Sequence, residues 1–400
     1  MQERFLLAGL LFLANFGYSV FCKKRFRQKL RRRGRGAAEA RYDGRAAKAP
    51  PAPSIINKGT VISDIRKEKG DILEILNVTN YYEDSGPQIF KKRTKKKVLN
   101  NVTLRIHTDE FFGLVGESGC GKSTLGNAVL GLLPFEGTIK VGGIRYSRSR
   151  RKEFTRRVQA VFQDPMSSLD PRKTIGFTMR EPLRAHHIGT KEEQEQAVAR
   201  MLELVGLDAS YASRYPGELS GGQRQRVCIG AALMLSPDLI IADEAVSALD
   251  VSVGAQILNL FREIDRKADF AMLFISHNLN VVYYLCDRIA VMYRGTIVEQ
   301  GTADEIYYHS SHPYTKLLLS AIPDFGARIE DDGTKSLSEI EKQHEAVEVR
   351  REDVAGACCF YHRCPHASSR CLQAPPLIDI SSDRQEEHLC ACVLSQNEED

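Results

Sequence analysis

Gly116-Glu-Ser-Gly-Cys-Gly-Lys-Ser123 has the spacing G-x-x-x-x-G-K-S, that of a loop built to cradle phosphate. Glycines at 116, 119 and 121 let backbone N–H groups converge on phosphate oxygens, with Glu117, Ser118 and Cys120 completing the cradle. A helix beginning behind the loop adds the positive end of its dipole. In this reading Lys122 reaches the β- and γ-phosphates, Ser123 ligates Mg²⁺ and Thr124 supports the phosphate contacts. A second apolar run, Asp238-Leu-Ile-Ile-Ala242, ends in Asp243-Glu244. There Asp243 is placed to hold Mg²⁺ through water and Glu244 to polarise an attacking water. Leu219-Ser-Gly-Gly-Gln223 is a serine-glycine turn able to approach a γ-phosphate from outside the loop. The chemistry predicted is that of an ATP-driven machine.

These groups need a scaffold that brings distant segments to one edge. Leu114-Val115 reads as a strand feeding the glycine loop, and Leu125-Gly-Asn-Ala-Val-Leu130 as the helix leaving it. Further strand-like runs stand at Ile72-Leu-Glu-Ile-Leu76, Leu104-Arg-Ile-His107 and Phe111-Phe-Gly-Leu-Val115. Alternation of strands and helices continues to about Gly301, which predicts an α/β core with a largely parallel sheet. Between 164 and 236 the pattern turns helical with polar faces, as in residues 192–207, so a helical insertion is expected there. Residues 91–97 (KKRTKKK) read as a solvated loop.

The formal net charge of +5 is misleading, because residues 23–36 (KKRFRQKLRRRGRG) hold nine Lys/Arg and no acid. Without them the body is mildly acidic, which weakens any general nucleic-acid argument. Just before them, residues 5–22 form a mostly apolar run at the lower edge of the length that spans a bilayer. Such an anchor would keep the basic side and all that follows in the cytoplasm. An extension from a misplaced start is the alternative. Residues 37–59, rich in Ala, Pro and Gly, read as a flexible linker, and 326–357 as a second, acidic one. Six of the ten cysteines crowd between 358 and 392; beside a nucleotide site in a reducing compartment they read as metal ligands before disulfides.

Leu219-Ser-Gly-Gly-Gln-Arg-Gln-Arg226 resembles the signature of the ATP-binding cassette (ABC) ATPases. The resemblance extends to Gln163 in Phe162-Gln-Asp-Pro165 as the Q-loop, Ser247-Ala-Leu-Asp250 as the D-loop and His277 in Ile275-Ser-His-Asn278 as the switch histidine. It implies a P-loop NTPase core of ABC type, with an antiparallel β subdomain, a helical signature subdomain and a small Cys-rich C-terminal extension. It also implies catalytic roles for Glu244, His277 and Gln163, with Gln163 joining Ser123 and Asp243 around Mg²⁺. Ser220, Gly221, Gly222, Gln223 and Asp250 would face ATP held by an opposite subunit. Adenine would stack on Tyr82, with Tyr81 its neighbour and alternative. Two departures stand out. Ala245 follows Glu244 where the family favours proline, which would relax that turn, and Asn278 follows His277 where aspartate is common.

The stretch from Gln159 to Arg172, with Glu181-Pro-Leu183 and His312-Pro-Tyr-Thr-Lys-Leu-Leu318, is similar to oligopeptide/dipeptide importer ATPases. Composition and resemblance together give a boundary scheme: candidate membrane anchor and basic segment 1–36, linker 37–70, nucleotide-binding domain 71–300 with its helical subdomain at about 164–236, and extension 301–400. The resemblance itself begins near residue 71. It implies that Cys358, Cys364, Cys371 and Cys392 hold an iron–sulfur cluster of the [4Fe–4S] kind, with Cys359 and Cys390 as extras. Zinc and free thiols are the alternatives. Implied partners are a second, paralogous ABC ATPase, two permease subunits and an external solute-binding protein, at the cytoplasmic face of the inner membrane. ATPases of nickel or other small-solute importers share these features. A soluble cassette acting on ribosomes or nucleic acid is the competing class.

Overall fold

The computed structural model describes residues 70–83, 95–322, 354, 356–381 and 387–396. The apolar run at 5–22, the basic stretch and the first linker lie outside the described residues, as does most of the second linker. Among the described residues no helix is long and apolar enough to cross a membrane.

Two sheets carry the architecture. The first is antiparallel, in the order β2 (Lys95–His107), β1 (Asp71–Glu83), β4 (Glu136–Val141), β5 (Ile144–Arg145). Its second strand alternates buried and exposed residues along its later half, the pattern of a sheet with one covered face. Lys95, Lys96 and Lys97 open that strand instead of completing a loop, because ladder pairing with Glu83, Tyr82 and Tyr81 holds them extended.

The second sheet runs β11 (Ile378–Asp379), β12 (Leu389–Cys390), β10 (Thr296–Thr302), β9 (Arg288–Tyr293), β3 (Phe111–Val115), β8 (Ala271–Ser276), β7 (Leu239–Asp243), β6 (Val158–Val161). From β9 to β6 every neighbouring pair is parallel. β3 and β8 are buried at every residue, as parallel strands covered on both faces must be. The two faces feed different cores. Leu273 and Ile275 of β8 pack toward the antiparallel sheet with Leu73, Ile106 and Leu125, whereas Met272 and Phe274 pack against helices with Phe261 and Ile257. The Cys-rich extension is an integral part of this sheet, since β12 pairs with β10 and carries β11 at the edge.

The glycine loop leads into α1 (Lys122–Val129). The expected helical insertion holds α2 (Ile175–Ala185), α3 (Lys191–Leu204) and α4 (Gly221–Leu233). Local chemistry fixes the ends of α3. Thr190 and Glu193 form a reciprocal capping box at its start. At its end Gly206, at φ 73°, lets the Leu207 N–H donate to the Leu202 carbonyl and the Gly206 N–H to that of Glu203.

Candidate active site

The carboxyl ends of β3, β7 and β8 are neighbours in the sheet, and each delivers one part of the site. After β3 the chain turns through Gly119 at φ 79° and Gly121 at φ 112°, a left-handed path that side-chain-bearing residues rarely follow. Gly121 then caps α1. Lys122 is buried, and its Nζ donates to the carbonyl oxygens of Gly116 (2.8 Å) and Glu117 (2.9 Å), so the ammonium lies inside its own loop.

Ser123 Oγ donates to Asp243 Oδ1 at 3.1 Å, which joins the first turn of α1 to the end of β7. Burial pushes the Asp243 carboxyl up from its ordinary range, a hydrogen bond from Ser123 opposing it. A hydroxyl and a carboxylate at this distance form an oxygen donor set suited to Mg²⁺.

Glu244 sits at φ 48° with its N–H donating to the Ile275 carbonyl of β8. His277, just past β8, approaches Glu244 Oε1 through Nδ1 at 3.2 Å. A carboxylate and an imidazole are thus paired beside the Ser123–Asp243 contact. The relaxation expected from Ala245 is offset by bonding. Ser247 donates to the Glu244 carbonyl through both its N–H and its hydroxyl, and Gln225 Nε2 donates to the Ala245 carbonyl at 2.8 Å. Asn278 stands in for aspartate without loss of the cap, its Oδ1 accepting from the Asn280 and Val281 N–H groups.

A second group forms around the start of α4. Ser220 and Gln223 make a capping box, and Gln223 Nε2 donates to Tyr211 Oη at 3.0 Å. Gly222 packs so closely on Val253 that a methyl group there would collide with it. Asp250 caps the helix Val251–Asp265, and the hydrogen bonds its carboxylate accepts from the Val253 N–H and the Ser252 hydroxyl hold it below the usual carboxylate range. An open cavity of about 440 Å³ lies here, lined by Tyr211, Ser220, Gly222, Gln223, Arg226 and Val253. Gln163 follows β6, at the edge of the sheet, with its side chain exposed. Tyr82 lies at the end of β1 on the other sheet, half exposed, while Tyr81 lies beneath the ammonium of Lys97.

The loop has partners that sequence reasoning missed. The Glu117 N–H donates to Tyr314 Oη at 2.9 Å, and its carboxylate takes both bonds from Arg363 Nη1 at 2.9 and 3.0 Å. These residues lie 197 and 246 positions away, and no local pattern announces them.

Cys371 and Cys392 are buried and Cys358 and Cys364 partly so. Burial first, then the other three thiols, pushes Cys364 up to about 12. The Cys358 N–H donates to the Cys371 carbonyl, which closes the turn that holds three of the four. Cys358 itself is held low by hydrogen bonds from Cys359 and His312. Among the described residues, however, no three His, Cys, Asp or Glu are grouped as a single metal ion requires. The described residues therefore support neither a zinc site nor the expected iron–sulfur cluster, which rests on the resemblance alone.

The family described as ABC transporter matches residues 99–247, and the oligopeptide/dipeptide transporter C-terminal region matches 298–371. A di/tripeptide transport ATP-binding protein of Pseudomonas aeruginosa is 39% identical over 318 residues, covering 78% of this chain and 96% of the relative. An oligopeptide transport ATP-binding protein of Escherichia coli is 41% identical, covering 78% of this chain and 93% of the relative. Among solved structures, an ATP-binding cassette captured as a dimer in a post-hydrolysis state with ADP and Pi aligns with a TM-score of 0.50 and 28% identity, over 58% of this chain and 98% of its own. The glycine loop, the Ser123–Asp243 and Glu244–His277 pairs and these likenesses agree: the chain belongs to the ABC transporter family, as an ATPase that carries the oligopeptide/dipeptide-type C-terminal region.

Proposed function

We propose that this chain hydrolyses ATP to drive import of oligopeptides or dipeptides across the cytoplasmic membrane, working at its inner face. The observation that carries the reading is the convergence of Ser123, Asp243, Glu244 and His277 at one edge of the parallel sheet, in a chain with the peptide-type extension. Lys122 exchanges its two loop carbonyls for the β- and γ-phosphates. Residues 116–124 cradle those phosphates with backbone N–H groups, and Tyr82 offers a flat face to adenine. Ser123, Asp243 and Gln163 would hold Mg²⁺, which screens phosphate charge when bound. Glu244 accepts the proton of the attacking water, and His277 holds that carboxylate in place from 3.2 Å away.

Ser220, Gly221, Gly222, Gln223 and Asp250 complete the site of a second, paralogous cassette chain. Two permeases and an external solute-binding protein supply the path and the cargo. Closure of the two cassettes on ATP and their release after hydrolysis switch the permeases between two states. The proposed boundaries follow this division: cassette 71–300, with its helical subdomain at about 164–236, and extension 301–400.

By resemblance to the peptide-importer ATPases we assign Cys358, Cys364, Cys371 and Cys392 to a [4Fe–4S] cluster, although among the described residues these thiols are not grouped to hold a metal. Anaerobically purified protein is then brown and iron-bearing, whereas colourless, iron-free protein removes the assignment. For the function itself, the complete importer in vesicles is expected to hydrolyse ATP faster with peptide-loaded binding protein than with nickel or other small solutes. Equal stimulation by a non-peptide solute would overturn the cargo.

A further inference from the structure

We propose that Arg363 and Tyr314 of the C-terminal extension are positioning residues of the nucleotide site, setting ATP affinity through Glu117. The proposal rests on the nucleotide reading above and extends it to groups outside the cassette motifs.

Glu117 joins the loop to the extension, because three of its polar groups are engaged at once. Its carbonyl accepts from Lys122 Nζ, its N–H donates to Tyr314 Oη, and its carboxylate takes Arg363. The first bond is internal to the loop, and the other two tie that same residue to the extension. The anchor is itself rigid. Phe360 is buried and packs on Tyr293, Tyr314 and His312, and the Arg363 N–H donates to the Phe360 carbonyl. The Arg363 guanidinium also lies over the Tyr293 and Phe360 rings. Gly116 is also closely packed, since a methyl group there would run into the Met292 carbonyl of β9. The start of the loop is thus held by both the core sheet and the extension.

Two consequences for nucleotide follow. A carboxylate one residue into a phosphate cradle repels phosphate unless it is neutralised and turned away, and Arg363 does both. Holding the Glu117 carbonyl from its neighbouring N–H also fixes the resting place that Lys122 leaves when it meets phosphate. Both effects act on binding. Neither touches Glu244, His277 or the attacking water, so turnover at saturating ATP is left alone.

The test is the dissociation constant of a fluorescent ATP analogue, measured on the full chain with Mg²⁺ present. Arg363→Ala is expected to raise it about threefold to fivefold, the range for a half-exposed ion pair, and Arg363→Lys to restore part of that loss. Tyr314→Phe, which keeps the ring and removes only the hydroxyl, is expected to raise it by a similar factor. In a Glu117→Gln background the Arg363→Ala change should have little further effect, since the charge it answers is gone. In the assembled ATPase Arg363→Ala and Tyr314→Phe raise KM and leave kcat near its original value. Unchanged affinity in Arg363→Ala and Tyr314→Phe overturns the proposal. So does an Arg363→Ala loss that is undiminished in the Glu117→Gln background, which would mark a structural role only. An unaltered chain that fails to bind the analogue overturns the nucleotide reading itself, a result distinct from either.

Discussion

Glu244→Gln is expected to keep ATP binding while lowering turnover by about 100-fold to 10,000-fold, the range that general-base catalysis contributes. The substitution keeps the size and shape of the side chain and removes its capacity to take a proton. Its backbone role is untouched, because the N–H still donates to Ile275 and the carbonyl still accepts from Ser247. A glutamine amide can also still meet His277 Nδ1, at the position where Glu244 Oε1 now lies 3.2 Å away. Local structure is therefore preserved and chemistry is lost. The measurement is phosphate release by the assembled ATPase at saturating ATP, beside nucleotide binding to the same sample. Turnover within a factor of a few of the original would move the base elsewhere.

Gly221→Asp is expected to leave this chain folded and able to bind ATP, yet to depress hydrolysis at the partner's site by about 100-fold. Repulsion between like charges brought together at an interface reaches several kcal/mol, and about 3 kcal/mol corresponds to that factor. The structure makes the substitution tolerable within the chain. A Cβ at Gly221 meets only the Leu249 side chain, at an ordinary 3.6 Å. An acid in the first turn of α4 also complements the helix dipole. The harm arises only if a γ-phosphate from another chain arrives at this turn. Wild-type hydrolysis by an assembly carrying Gly221→Asp would separate Ser220–Gln223 from any nucleotide.

Local motifs made the chemistry legible. The glycines of residues 116–121 are forced by backbone paths that other residues avoid, and Asp243-Glu244 by the end of a buried strand, so both stand out in the sequence. The end of α3 is readable from Gly206, which closes the helical run at 192–207, whereas its start, set by the Thr190 and Glu193 capping box, is not part of that reading. What escaped were pairings between distant segments. β12 joins β10 through backbone hydrogen bonds that no side chain announces. Lys95–Lys97 looked like a solvated loop because charge hides an extended strand whose backbone is nonetheless paired. Ala245 looked like a weakened turn because the amide that steadies it comes from Gln225, on another helix. Arg363 and Tyr314 were invisible for the same reason. The glycine loop was readable, and the clamp on it was not.

In the proposed mechanism Lys122, Ser123, Asp243, Glu244 and His277 form half of a site that another cassette chain completes. The most direct measurement is ATP turnover per chain as the second cassette of the importer is titrated in at fixed ATP. Negligible turnover by this chain alone at low concentration is expected, with a saturable rise as pairs form; Gly221→Asp here then depresses the partner's site and Glu244→Gln this chain's own. Turnover that is already maximal in the isolated chain, and indifferent to added partner, would contradict this mechanism.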